Sequence, residues 1–152
     1  MRRFWDGLAG MVLVLWIGGM WAIGYVVAPV LFSSLGDKQL AGMLAGKLFE
    51  LMAWIGVASA IYLLVYRIAR EGAGALKTLL FWAVALMLAL TLAGHFGIQP
   101  IMQGLKDQAM PHAVMQSVFA DRFARWHGVS SILYLIQSAL GLLLVWRSGL
   151  AR

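Results

Sequence analysis

Four long apolar runs with almost no charge constrain the fold of this chain more than any other feature of its sequence. They occupy residues 8–28, 48–68, 78–98 and 126–146. An α-helix needs about 20 such residues to cross the hydrocarbon core of a bilayer. The sequence therefore predicts an all-α integral membrane protein, a four-helix bundle in which residues 1–152 form a single four-span domain with short loops on one side and longer connections on the other.

Composition supports a membrane protein and excludes several classes of site. Apolar residues make up 62% of the chain and charged residues 12%, with a mean hydropathy of +0.86, which lies outside the usual soluble range. There is no cysteine, so disulfides, thiolate metal sites and iron–sulfur clusters are excluded. A basic face interleaved with exposed aromatic residues is also missing. We therefore expect the lipid bilayer as the main partner and no nucleic acid.

The distribution of charge predicts how the chain sits in the membrane. The side that holds both termini carries seven basic and two acidic residues, whereas the other side carries five basic and four acidic residues. Basic residues near the ends of spans are retained in the cytoplasm. We therefore expect a bacterial-type inner (plasma) membrane protein with both termini and the loop 69–76 in the cytoplasm.

A stripe of small residues precedes the second span. Ala41, Gly42, Ala45 and Gly46 recur with helical spacing, and small residues let two helix backbones approach closely in a membrane. The stripe predicts helix packing, either within the bundle or between this chain and another. We expect a homo-oligomer or a complex with a second membrane protein.

Polar residues in the fourth span form one row. His127, Ser131, Tyr134, Ser138 and Gly141 are separated by four, three, four and three positions, so they share one face of a helix. Polar groups are costly in lipid. The pattern therefore predicts that this whole face points into the bundle.

Two histidines and one acid lie close to the predicted outer boundary of the membrane. His127, His95 and Glu50 are each within about a turn of that boundary and could meet at one level. One interpretation is hydrogen bonding and packing at the membrane interface. The other is a metal or haem site, because histidine is a common ligand.

The outer connection before the fourth span contains a second candidate metal site. Met110, His112 and Met115 supply two thioethers and one imidazole, a set that suits Cu(I). Methionine also fills irregular packing gaps, which is the competing interpretation. We predict no cofactor and keep haem or copper as the alternative.

The sequence shows none of the patterns that commonly accompany catalysis. It lacks a nucleophile and base at catalytic spacing, a phosphate-binding loop and a buried pair of acids. We therefore expect a non-enzymatic membrane protein, either a small transport component or a subunit of a membrane complex. The alternative is a redox protein that handles copper or haem through its outer histidines and methionines.

Three segments resemble a known family in order and spacing. They read LWIGGMWAIGYVVAPVLFSSL, AGMLAGKLFELMAW and FARWHGVSSILYLIQSALGLLL. Together they resemble the transmembrane-protein-205-like family, a four-helix membrane domain without an assigned biochemical activity. The resemblance implies that the family's pattern includes Phe123, His127, Gly128, Ser130 and Ser131.

Overall fold

The computed structural model describes residues 2–147, and the side chains of residues 3–147. Two π-helical segments, Ala22–Val27 and Ala93–Ile98, join α1 to α2 and α4 to α5 without a loop, and two short 3₁₀ segments, Gly72–Lys77 and Val114–Gln116, lie in connections. None of the residues 2–147 lies in a strand. The α-helices are α1 (Arg2–Trp21), α2 (Ala28–Ser34), α3 (Lys38–Glu71), α4 (Leu79–Leu92), α5 (Gln99–Ala109) and α6 (Ala120–Arg147).

Four continuous helical stretches are long and apolar enough to cross a membrane. They are Arg3–Ser34, Lys38–Lys77, Leu79–Ala109 and Ala120–Arg147, and each corresponds to one predicted span. We refer to them as spans one to four. The predicted all-α four-helix architecture is confirmed, and the chain is a multi-pass membrane protein.

The spans pack in a closed ring in which the first meets the last. α1 contacts both α3 and α6, and α4 contacts the same two helices. Because the number of spans is even, residues 2 and 147 lie at one end of the bundle, which we call the terminal end. The opposite end, which holds Asp37 and Pro111, we call the loop end. The most deeply buried large side chains in the core include Trp16, Ile17, Met20 and Met87.

Span two is the longest helix of the bundle. Asp37 caps its start, since the Asp37 Oδ1 atom accepts from Gln39 N at 2.8 Å and from Leu40 N at 3.1 Å. Its 34 residues correspond to about 51 Å of α-helix, whereas the hydrocarbon core is about 30 Å thick. α3 therefore extends beyond the hydrocarbon core.

Charged contacts tie spans one and two together at the terminal end. Arg70 Nη2 lies 3.1 Å from Asp6 Oδ1, and the Tyr66 hydroxyl donates to the same carboxylate. Arg67 pairs with Glu71 one turn later along α3, at 2.8 Å. Exposed ion pairs contribute about 0–1 kcal/mol each, so the Asp6 contacts fix the position of α1 on α3 more than they stabilise the fold, and the Arg67–Glu71 pair lies within α3 alone.

Candidate functional site

Spans one and three each change helix type just before a proline. Proline has no N–H group, and its ring clashes with the carbonyl four residues earlier, so a regular α-helix cannot continue through it. In span one the residue before Pro29, Ala28, donates instead to the Ile23 carbonyl, five residues earlier. The residue before Pro100 makes the same five-residue bond in span three. Such π-helical segments are frequent at functional sites, which directs attention to their neighbours.

A tyrosine from span four enters the helix of span one beside the first π segment. The Tyr134 hydroxyl donates to the Met20 carbonyl and lies against the Gly24 backbone. In a regular α-helix the Met20 carbonyl would accept from Gly24, four residues later. The hydroxyl thus bonds a carbonyl that would accept from Gly24 N in a regular α-helix. A side chain inserted in this way is a known cause of helix bending.

The close approach of Tyr134 requires a glycine at position 24. A Cβ atom on Gly24 would lie 2.3 Å from Tyr134 Cε1 and 2.6 Å from its hydroxyl oxygen, far inside van der Waals contact. Phe49 and Tyr25 meet the tyrosine ring edge-on, with centroids 5.4 Å and 6.0 Å away. Spans one, two and four therefore converge on one side chain.

A second tyrosine makes the reciprocal contact from span one to span four. The Tyr25 hydroxyl donates to Ser138 Oγ at 2.8 Å, and Ser138 is buried. One turn further along α6, Gly141 is buried against Ile17. We call Met20, Gly24, Tyr25, Tyr134 and Ser138 together the tyrosine joint. The joint confirms that the predicted polar row faces the bundle at positions 134, 138 and 141.

A polar contact also links spans three and four. Gln137 Nε2 donates to Thr91 Oγ1 at 3.2 Å, and the Thr91 hydroxyl donates to the Met87 carbonyl at 2.8 Å. Thr91 is buried, so these groups satisfy each other away from solvent. Span four thereby makes side-chain hydrogen bonds to both of its neighbours in the ring.

The outer part of the polar row does not face the bundle, which corrects the prediction for His127 and Ser131. Both side chains are exposed, and Ser131 donates to the His127 carbonyl of its own helix at 2.9 Å. Towards the loop end, α6 is accompanied by α5 and the Val114–Gln116 segment. The spacing of the row shows that its residues lie on one face of the helix. It does not show how much of that face a neighbouring helix covers.

We call the five residues of the family's pattern in α6, Phe123, His127, Gly128, Ser130 and Ser131, the family string. Its remaining residues lie beside His127 and Ser131 on the same helix. Phe123 is half-buried and stacks parallel to the His127 ring, with centroids 6.0 Å apart. Ser130 is half-buried. Gly128 is exposed, and no heavy atom lies within 4 Å of the position that its Cβ would take. The open part of the string therefore consists of His127, Gly128 and Ser131.

The structure does not bring the predicted histidine and acid ligands into one group. Half-buried His95 lies edge-on to Trp54 at 5.3 Å and to Phe96 at 4.8 Å, whereas Glu50 is exposed. Among residues 2–147, no group of three or more histidine or acidic side chains could hold a metal ion. Binding of a cofactor by His95, His127 and Glu50 stays a prediction without a shared site to support it.

The methionine and histidine residues of the outer connection are all exposed. Met110, His112 and Met115 lie at and after the end of α5. Gln39 Nε2 donates to the Met110 sulfur at 3.6 Å, which ties this connection to the start of α3. A copper site formed by the three residues stays a prediction.

The small-residue stripe is partly covered within the chain. Ala41 and Ala45 are buried, with 0% and 5% of their surface exposed. Gly42 is half-buried, and its Cβ would lie 3.6 Å from the Phe32 ring. Gly46 is also half-buried, but no heavy atom lies within 4 Å of its Cβ position. One edge of the stripe therefore packs inside the bundle, while the edge at Gly46 is open.

A groove of about 270 Å³ lies at the loop end beside α5. Near it, the Lys106 ammonium lies 5.7 Å from the centroid of the Phe123 ring, a cation–π contact that ties α5 to α6. The groove is open and shallow. It is lined by Pro100, Ile101, Gly104, Leu105, Gln108 and Arg122.

Comparison with known families identifies the family of this chain. A family model described as Domain of unknown function (DUF4149) matches residues 11–111 of the 152-residue chain. The chain belongs to the DUF4149 family. The DUF4149 match includes Met20, Gly24 and Tyr25 of the tyrosine joint, both π segments and the small-residue stripe. It ends before the family string of α6 and before Tyr134. No curated protein and no solved structure matches the chain.

Sequence reasoning missed three of the five residues of the tyrosine joint, Met20, Gly24 and Tyr25. Tyr134 and Ser138 belonged to the predicted row, but their partners Tyr25 and Met20 were not identified. The available signal was Pro29, because a proline inside an apolar run predicts a break in the helix four or five residues earlier. A backbone carbonyl such as that of Met20 carries no sequence signal of its own.

Proposed function

We propose that the chain is a non-enzymatic subunit of a membrane complex, of the transmembrane-protein-205-like type, and that span four binds the second protein chain. The observation that carries the proposal is the exposure of the family string at the loop end of α6. His127 and Ser131 are polar and Gly128 is small, yet all three point away from their own bundle. Polar and small residues are typical of helix contacts in membranes and are not favoured by lipid.

A comparison of burial among the four spans supports the proposed contact surface on span four. Within the most apolar window of span four, 11% of the residues are buried, compared with 22–28% in the other three spans. A helix that contacts only lipid on its open side gains nothing from a histidine there. Span four is thus the span with the smallest buried share of residues, and its exposed residues include the polar His127 and Ser131.

The internal hydrogen bonds favour a structural role over catalysis. The Tyr25 hydroxyl bonds Ser138, and the Gln137 amide bonds Thr91, so these polar side chains have hydrogen-bond partners within the bundle. Groups that are held in this way stabilise helix packing and are not free to react with a substrate. Trp16, Ile17 and Met87 fill the centre of the bundle. If the complex transports a solute, we expect the path to lie at the interface with the second chain.

The proposal includes a location and an orientation. We infer a bacterial-type inner membrane with both termini in the cytoplasm, from the excess of basic residues on the side of the termini. The proposed contact surface of span four then lies near the outer face of the membrane.

Gly128→Leu tests the proposed surface, with Ala89→Leu as a matched control. Both sites are exposed in the structure, but Ala89 lies on span three, away from the family string. We expect the unmodified protein to migrate as a complex in nanodiscs formed directly from membranes. Gly128→Leu should reduce the fraction in the complex, and Ala89→Leu should not. Co-purification of untagged with tagged copies distinguishes a homo-oligomer from a complex with another protein.

Two results would contradict the proposal. One is a monomeric unmodified protein in native nanodiscs. The other is a complex that survives Gly128→Leu. A complex that survives Gly128→Leu but is lost with Gly46→Leu would move the interface to the open edge of the small-residue stripe on α3.

A further inference from the structure

A second groove lies at the terminal end, between the start of α1 and the end of α3. Its volume is about 300 Å³. The Tyr62 and Tyr66 rings stack along α3, with centroids 6.3 Å apart and an angle of 17° between their planes. The walls are therefore mostly aromatic and aliphatic. The lining consists of Trp5, Tyr62, Val65, Tyr66, Ala69 and Arg70.

One cation and one anion meet at the edge of this groove. Arg70 and Asp6 form an ion pair at 3.1 Å, and their side chains are 39% and 43% exposed. The Tyr66 hydroxyl donates to Asp6 and so holds the carboxylate at the hydroxyl end of the tyrosine ring. The Arg70 guanidinium has five N–H donors, of which those on Nη2 face Asp6. The pair has no net charge, and both partners are accessible to a ligand with one positive and one negative group.

The position of the groove makes lipid its natural occupant. Trp5 and Val65 are 49% and 60% exposed, on a surface that continues the apolar sides of spans one and two. Tryptophan and tyrosine are enriched where a bilayer meets water, and Arg70 lies in the last turn of α3. The groove thus runs from the level of lipid headgroups towards the level of acyl chains.

We propose that this groove binds one phospholipid whose headgroup combines a phosphate with a primary ammonium, as in phosphatidylethanolamine. The acyl chain lies on the Tyr62 and Tyr66 rings, the phosphate accepts hydrogen bonds from Arg70, and the ammonium donates to Asp6. A headgroup with net negative charge meets the Asp6 carboxylate as well as Arg70, which makes it a poorer match. The groove is formed by spans one and two, so the proposal is independent of the partner surface on span four.

Native mass spectrometry of the full chain tests the ligand. The protein, purified in detergent and stripped of lipid, is mixed with equal amounts of phosphatidylethanolamine, phosphatidylglycerol and phosphatidylcholine of identical acyl chains. We expect one phosphatidylethanolamine to be retained in preference to both others. Phosphatidylcholine has no N–H donor for Asp6, and phosphatidylglycerol has no positive charge. Equal retention of all three, or a preference for phosphatidylglycerol, would overturn the proposal.

Two substitutions locate the lipid on the protein. Ala69→Trp fills the groove and should reduce retention of phosphatidylethanolamine about tenfold, the factor that corresponds to about 1.4 kcal/mol of binding free energy. Ala89→Trp is the matched control, because Ala89 is exposed on span three and does not line the groove. Asp6→Asn should remove the preference for phosphatidylethanolamine over phosphatidylglycerol. Equal binding by Ala69→Trp and the control would place the lipid elsewhere and overturn the proposal.

Discussion

Gly24→Ala should destabilise the bundle through a single contact, that with Tyr134. The new methyl group would lie 2.3 Å from Tyr134 Cε1, so the tyrosine must move and lose its bond to the Met20 carbonyl. Forced overpacking costs about 1–3 kcal/mol, and an interhelical hydrogen bond in a membrane contributes about 0.6 kcal/mol. Alanine is favoured over glycine in a helix by up to about 1 kcal/mol. The net loss in free energy of unfolding should be about 1–3 kcal/mol.

Reversible unfolding in mixed micelles with increasing dodecyl sulfate, followed by tryptophan fluorescence, measures this loss. Gly18→Ala is the matched control on the same helix. Gly18 is exposed, and no heavy atom lies within 4 Å of its Cβ position. The control should be neutral or stabilised by up to about 1 kcal/mol, because it gains helix propensity without a clash.

A double-mutant cycle decides whether the tyrosine is the cause. Tyr134→Leu removes the ring and hydroxyl atoms that the new methyl group would meet. In that background Gly24→Ala should therefore lower the free energy of unfolding much less. The coupling free energy between the two sites should then be about 1–3 kcal/mol, within the range for residues in contact. An undiminished penalty in that background, or equal effects of Gly24→Ala and Gly18→Ala, would refute the reasoning.

Three further predictions concern the link between spans, the topology and the metal alternative. Gln137→Leu removes the bond to Thr91 and should cost about 0.6 kcal/mol in the same unfolding assay; an unchanged midpoint would show that this bond adds nothing to stability. Cysteines introduced at Arg3 and His112 should react with an impermeant reagent from opposite sides of the membrane, and labelling of both from one side would disprove the four-span topology. The purified protein should be colourless and free of stoichiometric metal; a Soret band, or copper that is lost in His112→Ala, would establish the redox alternative instead.

The sequence predicts the spans well because every residue of a span lies in the apolar core of the bilayer, whose thickness sets the length of the run. A run of about 20 apolar residues is sufficient evidence for a crossing helix. Tyr134, Ser138 and Gly141 were assigned to the bundle interior correctly, since the 3.6-residue period is a local property of one helix.

The tyrosine joint could not be predicted in the same way, because it depends on the distance between two helices. Tyr25 and Ser138 are 113 positions apart, and neither carries a motif that identifies the other. His127 shares the row of Ser138, but its burial depends on whether a neighbouring helix covers that face of α6 at the loop end. The two π segments follow from Pro29 and Pro100, yet a proline alone does not distinguish a π segment from a helix end.

The tyrosine joint also bears on the order in which the protein is assembled during synthesis. Its two halves come from the first and last spans, so a nascent chain that lacks α6 has no Ser138 to accept from the Tyr25 hydroxyl, and its Met20 carbonyl is left to bond Gly24 within its own helix. Individual membrane helices insert first and associate afterwards. Closure of the ring must therefore wait until Tyr134 and Ser138 have left the ribosome and entered the bilayer. A truncated product that ends before α6 would keep the Tyr25 hydroxyl without its Ser138 partner in span one, a feature by which quality-control proteases could distinguish it from the complete chain.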